Sequence, residues 1–129
     1  MKRFSLALAV VAALAAVIVP SASARVRFAT SVQITSVKKP AGSPMRFRGD
    51  VSSSKGKCAR NRKVQVFQNV AGPSIRVGSD FTDGGGQWFL SVDLNPANGD
   101  VFYARAPRKQ IGDGKICKAA RSSDYTFTF

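Results

Sequence analysis

From Val26 to the C-terminus apolar and polar side chains alternate with a period of two. No stretch of this region carries a 3.6-residue apolar stripe. That pattern predicts half-buried antiparallel strands. In the first run Val26, Phe28, Thr30, Val32 and Ile34 share a face, with Arg25, Arg27, Ser31 and Gln33 opposite. The second, Met45 to Val51, turns Phe47 and Val51 inward and Arg46 and Arg48 outward. Lys63 to Phe67 alternates Val64 and Val66 with Lys63 and Gln65, and Ser74 to Phe81 gives a fourth strand. Gln87 to Val92 places Trp88, Leu90 and Val92 on one face, and Val101 to Ala106 makes the sixth. The seventh, Asp124 to Phe129, groups Tyr125, Phe127 and Phe129 against Thr126 and Thr128.

Breakers separate these runs: Lys39 to Pro44, Ala71-Gly72-Pro73, Asp83-Gly84-Gly85-Gly86 and Asn95 to Gly99. The Asp-Gly-Gly-Gly segment is the strongest turn, because it supplies positive-φ positions cheaply. Pro107 to Arg121 reads as a basic, glycine-containing loop. About seven short strands with turns between them predict an all-β chain folded as one antiparallel Greek-key sandwich.

The first 24 residues have another pattern. Met1-Lys2-Arg3 precedes an apolar run from Phe4 to Val19, broken only by Ser5, and then Pro20-Ser21-Ala22-Ser23-Ala24. A positive start, an apolar centre and a small-residue Ala-x-Ala end predict a secretory signal peptide over residues 1–24. The apolar run is shorter than the roughly 20 residues of a membrane span. Cleavage after Ala24 would leave a sandwich domain at 25–129 with no transmembrane span, secreted or held in the cell envelope. In that oxidising setting Cys58 and Cys117 are expected to form a disulfide.

Several landmarks follow one another in order: Phe47-Arg48-Gly49-Asp50-Val51, Lys63-Val64-Gln65-Val66, Thr82-Asp83-Gly84-Gly85-Gly86-Gln87-Trp88 and Asn98-Gly99-Asp100-Val101-Phe102-Tyr103. This order resembles the carboxypeptidase regulatory-like domains, which are similar to transthyretin. The resemblance covers roughly Arg46 to Ala106. It implies a seven-stranded Greek-key sandwich with a non-catalytic accessory or binding role, and it transfers no site residues. Immunoglobulin-like sandwiches are the rival family, since Trp88 lies between the two cysteines. Its distance of 30 residues from Cys58 is, however, long for that hallmark.

Composition narrows the chemistry. The chain has 129 residues with 20 Lys and Arg, seven Asp, no Glu and no His, for a net charge of +13. Without His there is no imidazole base or metal ligand, and two cysteines cannot build a zinc site. No catalytic residue, metal or cofactor is therefore expected. A hydrolase would be left with Ser-Lys or Asp chemistry alone. The calcium candidates Asp80, Asp83 and Asp113 lack a ligand ladder. Arg48-Gly49-Asp50 spells an adhesion tripeptide but falls inside a strand.

The cations cluster. Lys55, Lys57, Arg60, Arg62 and Lys63 surround Cys58, and Arg105, Arg108, Lys109, Lys115, Lys118 and Arg121 surround Cys117. A disulfide would merge both groups into one surface with Asp113 its only acid. Such a field attracts polyanions such as envelope polymers, anionic lipid head groups or extracellular nucleic acid. No motif for sequence-specific nucleic-acid reading is present. Phe67, Phe89 and Tyr103 are the candidate exposed aromatics. The alternative is a small secreted protease inhibitor using a bridged loop from Pro107 to Cys117.

Overall fold

The structure, a computed structural model, describes residues 25–129. The expected signal peptide lies outside the described residues. Eleven strands and one short helix are present among them. They build a two-sheet β-sandwich, with a small third sheet at one end.

The first sheet has the order β2-β3-β6, formed by Ser31–Lys38, Met45–Ser52 and Gln87–Val92. The second runs β4 (Lys63–Asn69) between β5 (Ile75–Phe81) and β7 (Val101–Ala106). The far side of β7 is paired by β10 (Ala120–Arg121) and β11 (Tyr125–Thr126). All pairings in these two sheets are antiparallel. After two sheet crossings β6 returns beside β3 and β7 beside β4, which is Greek-key connectivity.

Alternation decides the core. Met45, Phe47 and Val51 of β3, Trp88 and Leu90 of β6, Val64 and Val66 of β4, and Phe102 and Ala104 of β7 are all buried between the sheets. Phe47 and Phe102 meet edge to face with ring centres 5.2 Å apart, joining the two layers. Gly49 pairs with Trp88 across β3 and β6. A methyl group at Gly49 would run into the Trp88 indole and the Gln33 carbonyl, so the indole occupies the space that glycine leaves. Asp83 caps the turn into β6, accepting from the backbone N–H of Gly85 and of Gln87 at 2.9 Å each.

Three sequence expectations need correction. The first run is two strands: β1 (Val26–Phe28) pairs parallel with β9 (Lys115–Cys117), and β2 starts at Ser31. Between them the Thr30 hydroxyl accepts from the Arg62 guanidinium at 3.1 Å, and β1 departs to a different sheet.

The segment read as a basic loop is instead largely strand. It holds β8 (Lys109–Gly112), β9 and β10, and the small sheet has the order β1-β9-β8. The expected seven strands thus become eleven.

The last run, expected over Asp124 to Phe129, is shorter, and its pairing to β7 is prepared upstream. Buried Ser122 takes over the ladder to Ala104, its Oγ accepting from that N–H and its own N–H donating to that carbonyl, both at 2.8 Å. β11 then covers only Tyr125–Thr126. Phe127 is buried, but Phe129 is 81% exposed. Beyond Thr126 the backbone bonds to the 97–100 turn rather than to β7.

Candidate functional site

The disulfide exists and joins α1 (Gly56–Ala59) to β9, with Cα atoms 5.4 Å apart. It docks the small sheet onto the end of the sandwich. The cations around it, however, do not form one surface, because strand alternation sends neighbours to opposite sides.

On the side of the small sheet facing α1 lie Cys117, Phe28 and Lys109, which share register positions. Lys57 and Arg60 are exposed on or beside α1, and with Lys109 they line a cleft that also contains Asp83. The Lys109 ammonium donates to the carbonyls of Lys57, Arg60 and Asn61 at 3.2 to 3.4 Å. Burial first, then the charges of Arg62 and Arg60, pull its pKa below the usual lysine range. The Lys55 ammonium sits 5.7 Å from the Phe28 ring centre, while Lys115 is exposed on β9.

Arg62 leaves the surface altogether and is only 1% exposed. Its guanidinium donates to the carbonyls of Pro107, Lys118 and Cys58 and to the Thr30 hydroxyl, at 2.8 to 3.2 Å. It fastens the segments that meet at the disulfide, and desolvation lowers its pKa. Period-two alternation carried back from Val64 and Val66 puts Arg62 on the inward face, a signal obscured by its place just before β4 begins at Lys63.

The other side of the small sheet is different. Arg25, Arg27, Arg108 and Lys118 line a groove whose floor is buried Ile116. Their aliphatic stems can cover that floor while the charged heads reach water. No carboxylate lines this groove. Ala119 lies at its end and also lines the next cleft, with Tyr103, Arg105 and Arg121. The cationic path therefore continues onto the outer face of the larger sheet.

Cross-strand register arranges that outer face in rows. Arg121, Arg105, Gln65 and Ser79 stand opposite one another, and beside them stand Tyr103, Phe67 and Arg76. The Phe67 and Tyr103 rings stack at 5.2 Å, and the Arg121 guanidinium lies 3.8 Å from the Tyr103 ring centre. Exposed Lys63 begins β4 on the same face. Arg121 also contacts Asp124 at 3.1 Å, an exposed pair of little energetic weight.

Arg25 and Arg27 join the track although sequence reading left them out. The signal that could have found them is their place opposite Val26 and Phe28 in the first run. What hid them was the parallel pairing of β1 with β9, which brings residues 89 positions apart into register.

The other candidates separate. Asp83 is the turn cap, an Asp80 carboxylate oxygen accepts from the Phe89 N–H at 3.3 Å, and Asp113 lies in the β8–β9 turn. Among the described residues no three His, Cys, Asp or Glu side chains gather as a metal set. Arg48-Gly49-Asp50 sits in β3, whose two edges are both paired.

The fold and surface define a disulfide-bridged all-β sandwich with a cationic groove leading to an aromatic-bearing sheet face. No protein-family model and no curated protein matches the sequence.

Proposed function

We propose that this is an exported, non-catalytic binding protein that holds a linear polyanion at the cell exterior. The polymer lies in the groove of Arg25, Arg27, Arg108 and Lys118 and runs on past Arg105 and Arg121. The carrying observation is the continuity of this path through Ala119: no carboxylate lines the groove, and the one acid beside the second part, Asp124, is paired with Arg121 at its edge. The resemblance to carboxypeptidase regulatory-like domains, with their accessory and binding roles, agrees with this reading, as does the signal-peptide pattern. Repeating anionic groups along an envelope polymer suit a path of spaced cations better than a single small anion does.

Each phosphate-like contact releases counterions, so affinity should fall steeply with salt, by a log–log slope of about 0.9 per contact on a duplex-like polymer. The test compares two quadruple variants of equal charge on immobilised heparin and immobilised polyphosphate. Arg27, Arg105, Arg108 and Lys118 changed to Gln should elute at far lower salt than wild type. Lys38, Lys57, Arg60 and Lys115 changed to Gln should elute much closer to it. Equal elution of the two variants on both matrices refutes the proposal.

A further inference from the structure

A further cleft, of about 640 Å³, opens on the outer face of the β2-β3-β6 sheet and is walled by the end of β5. Its chemistry is the reverse of the cationic track. Two cross-strand pairs form its floor: Arg48 opposite Phe89, and Asp50 opposite Gln87. Asp80 and Phe81 form its wall. Asp83 also lines it, so three of the seven acids of a chain with net charge +13 line one cleft. Arg48 is its only cation. The local charge repels the polyanions that the other face attracts.

The polar groups here are unspent. Among the described residues the Arg48 guanidinium, the Asp50 carboxylate and the Gln87 carboxamide make no side-chain hydrogen bond to protein. The Arg48 guanidinium lies over the Phe89 ring, 5.3 Å from its centre. Asp80 uses one oxygen on the Phe89 N–H and keeps the other. Two large apolar side chains stand beside them in water, Phe81 at 57% and Phe89 at 43% exposure. The carboxylates are too dispersed to chelate a metal ion, and Asp83 is committed to two backbone amides.

Donors, acceptors and exposed aromatic rings converging on an open cleft are the features of a built ligand site. A neutral polyhydroxylated ligand matches them. Vicinal hydroxyls donate to carboxylates and accept from a guanidinium or amide, while the apolar face of a pyranose ring lies on an aromatic ring. We infer that this cleft binds a neutral oligosaccharide, giving the protein a sugar site separate from its polyanion track. A purely cationic ligand would have no use for Arg48 or the Gln87 amide. The inference does not depend on the polyanion reading.

Trp88, the only tryptophan, is buried beneath the floor of the cleft, next to Gln87 and Phe89 in β6, and provides an intrinsic probe. Purified protein is titrated with cello-, malto- and chito-oligosaccharides, following Trp88 fluorescence and calorimetric heat, at low and high salt. At least one series should bind saturably with an affinity indifferent to salt, since no ion pair forms. Phe89→Ala and Asp50→Asn should each weaken binding about tenfold or more, whereas Arg105→Gln should leave it unchanged. Unfolding curves of each variant establish that the fold is kept, and Gln87→Ala, at an exposed position, replaces any variant that loses it. Three results overturn the inference: no response to any series by either method, binding that salt abolishes, or binding unmoved by the cleft variants. Salt-sensitive binding of spermine in place of every sugar would do the same, by making the cleft a cation site.

Discussion

Replacing Arg62 by Met is the sharpest test of what holds the disulfide end of the molecule together. The guanidinium supplies donors to four acceptors, three of them main-chain carbonyls that no substitution can remove. A buried carbonyl stripped of its partner costs about 1–3 kcal/mol. Solvent will reach some of these groups once the small sheet loosens, and Met no longer has to desolvate a charge, which reduces the sum. We expect a net loss of about 4 kcal/mol, a large part of the roughly 5–15 kcal/mol available to a small domain. With a urea dependence of about 2 kcal/mol per molar, the midpoint should fall by roughly 2 M. Trp88, 3% exposed, reports the transition by fluorescence. Arg62→Lys should lose about half as much, because an ammonium cannot span acceptors that the planar fork reaches together. An Arg62→Met midpoint within about 0.3 M of wild type would show that these contacts carry no net stability, and would refute the reasoning.

Removing the bridge with Cys58→Ala and Cys117→Ala should cost about 4 kcal/mol from loop closure. Hydrogen exchange should speed up first in β1, β8 and β9, and a uniform increase over both large sheets would contradict their selective docking. Gly49→Ala forces a methyl into the Trp88 indole and the Gln33 carbonyl, and should destabilise by about 3 kcal/mol or more with a red-shifted Trp88 emission. A loss below about 1 kcal/mol would mean that β2 or the indole shifts freely. Lys109 holds its proton less tightly folded than unfolded, so the unfolded chain binds more protons between the two pKa values. Thermal stability should therefore rise as pH climbs toward the ordinary lysine value of ~10.4, and this Lys109 increment should be absent from Lys109→Gln. Identical pH profiles for the two proteins would remove the assignment.

Much of the sandwich was legible because its strands carry the same local rule from end to end. Phe47 and Val51, Val64 and Val66, and Trp88 and Leu90 alternate with polar neighbours, and a half-buried strand must place them inward wherever it sits. The Asp83 turn was legible for a similar reason, since a carboxylate capping its own loop needs nothing distant. The two cysteines and the charge clusters around them were also plain in the sequence.

Long-range register was not. Period two states which residues share a face, but not which strand lies alongside, and that choice sets what a charge touches. The parallel meeting of β1 and β9 brought Arg25 and Arg27 beside Lys118 and Arg108. Alternation across that sheet turned Lys109 away from them toward α1. Arg62, in phase with Val64 but just outside the strand that the pattern marks, is held inside because four oxygens from separate segments converge there. The chain by itself determined a strand-built, bridged and strongly cationic molecule, since those properties are local or additive. The division of its charges into a buried clasp, a groove and a contrasting acidic cleft was decided only when distant strands paired, because electrostatic function depends on distances through space.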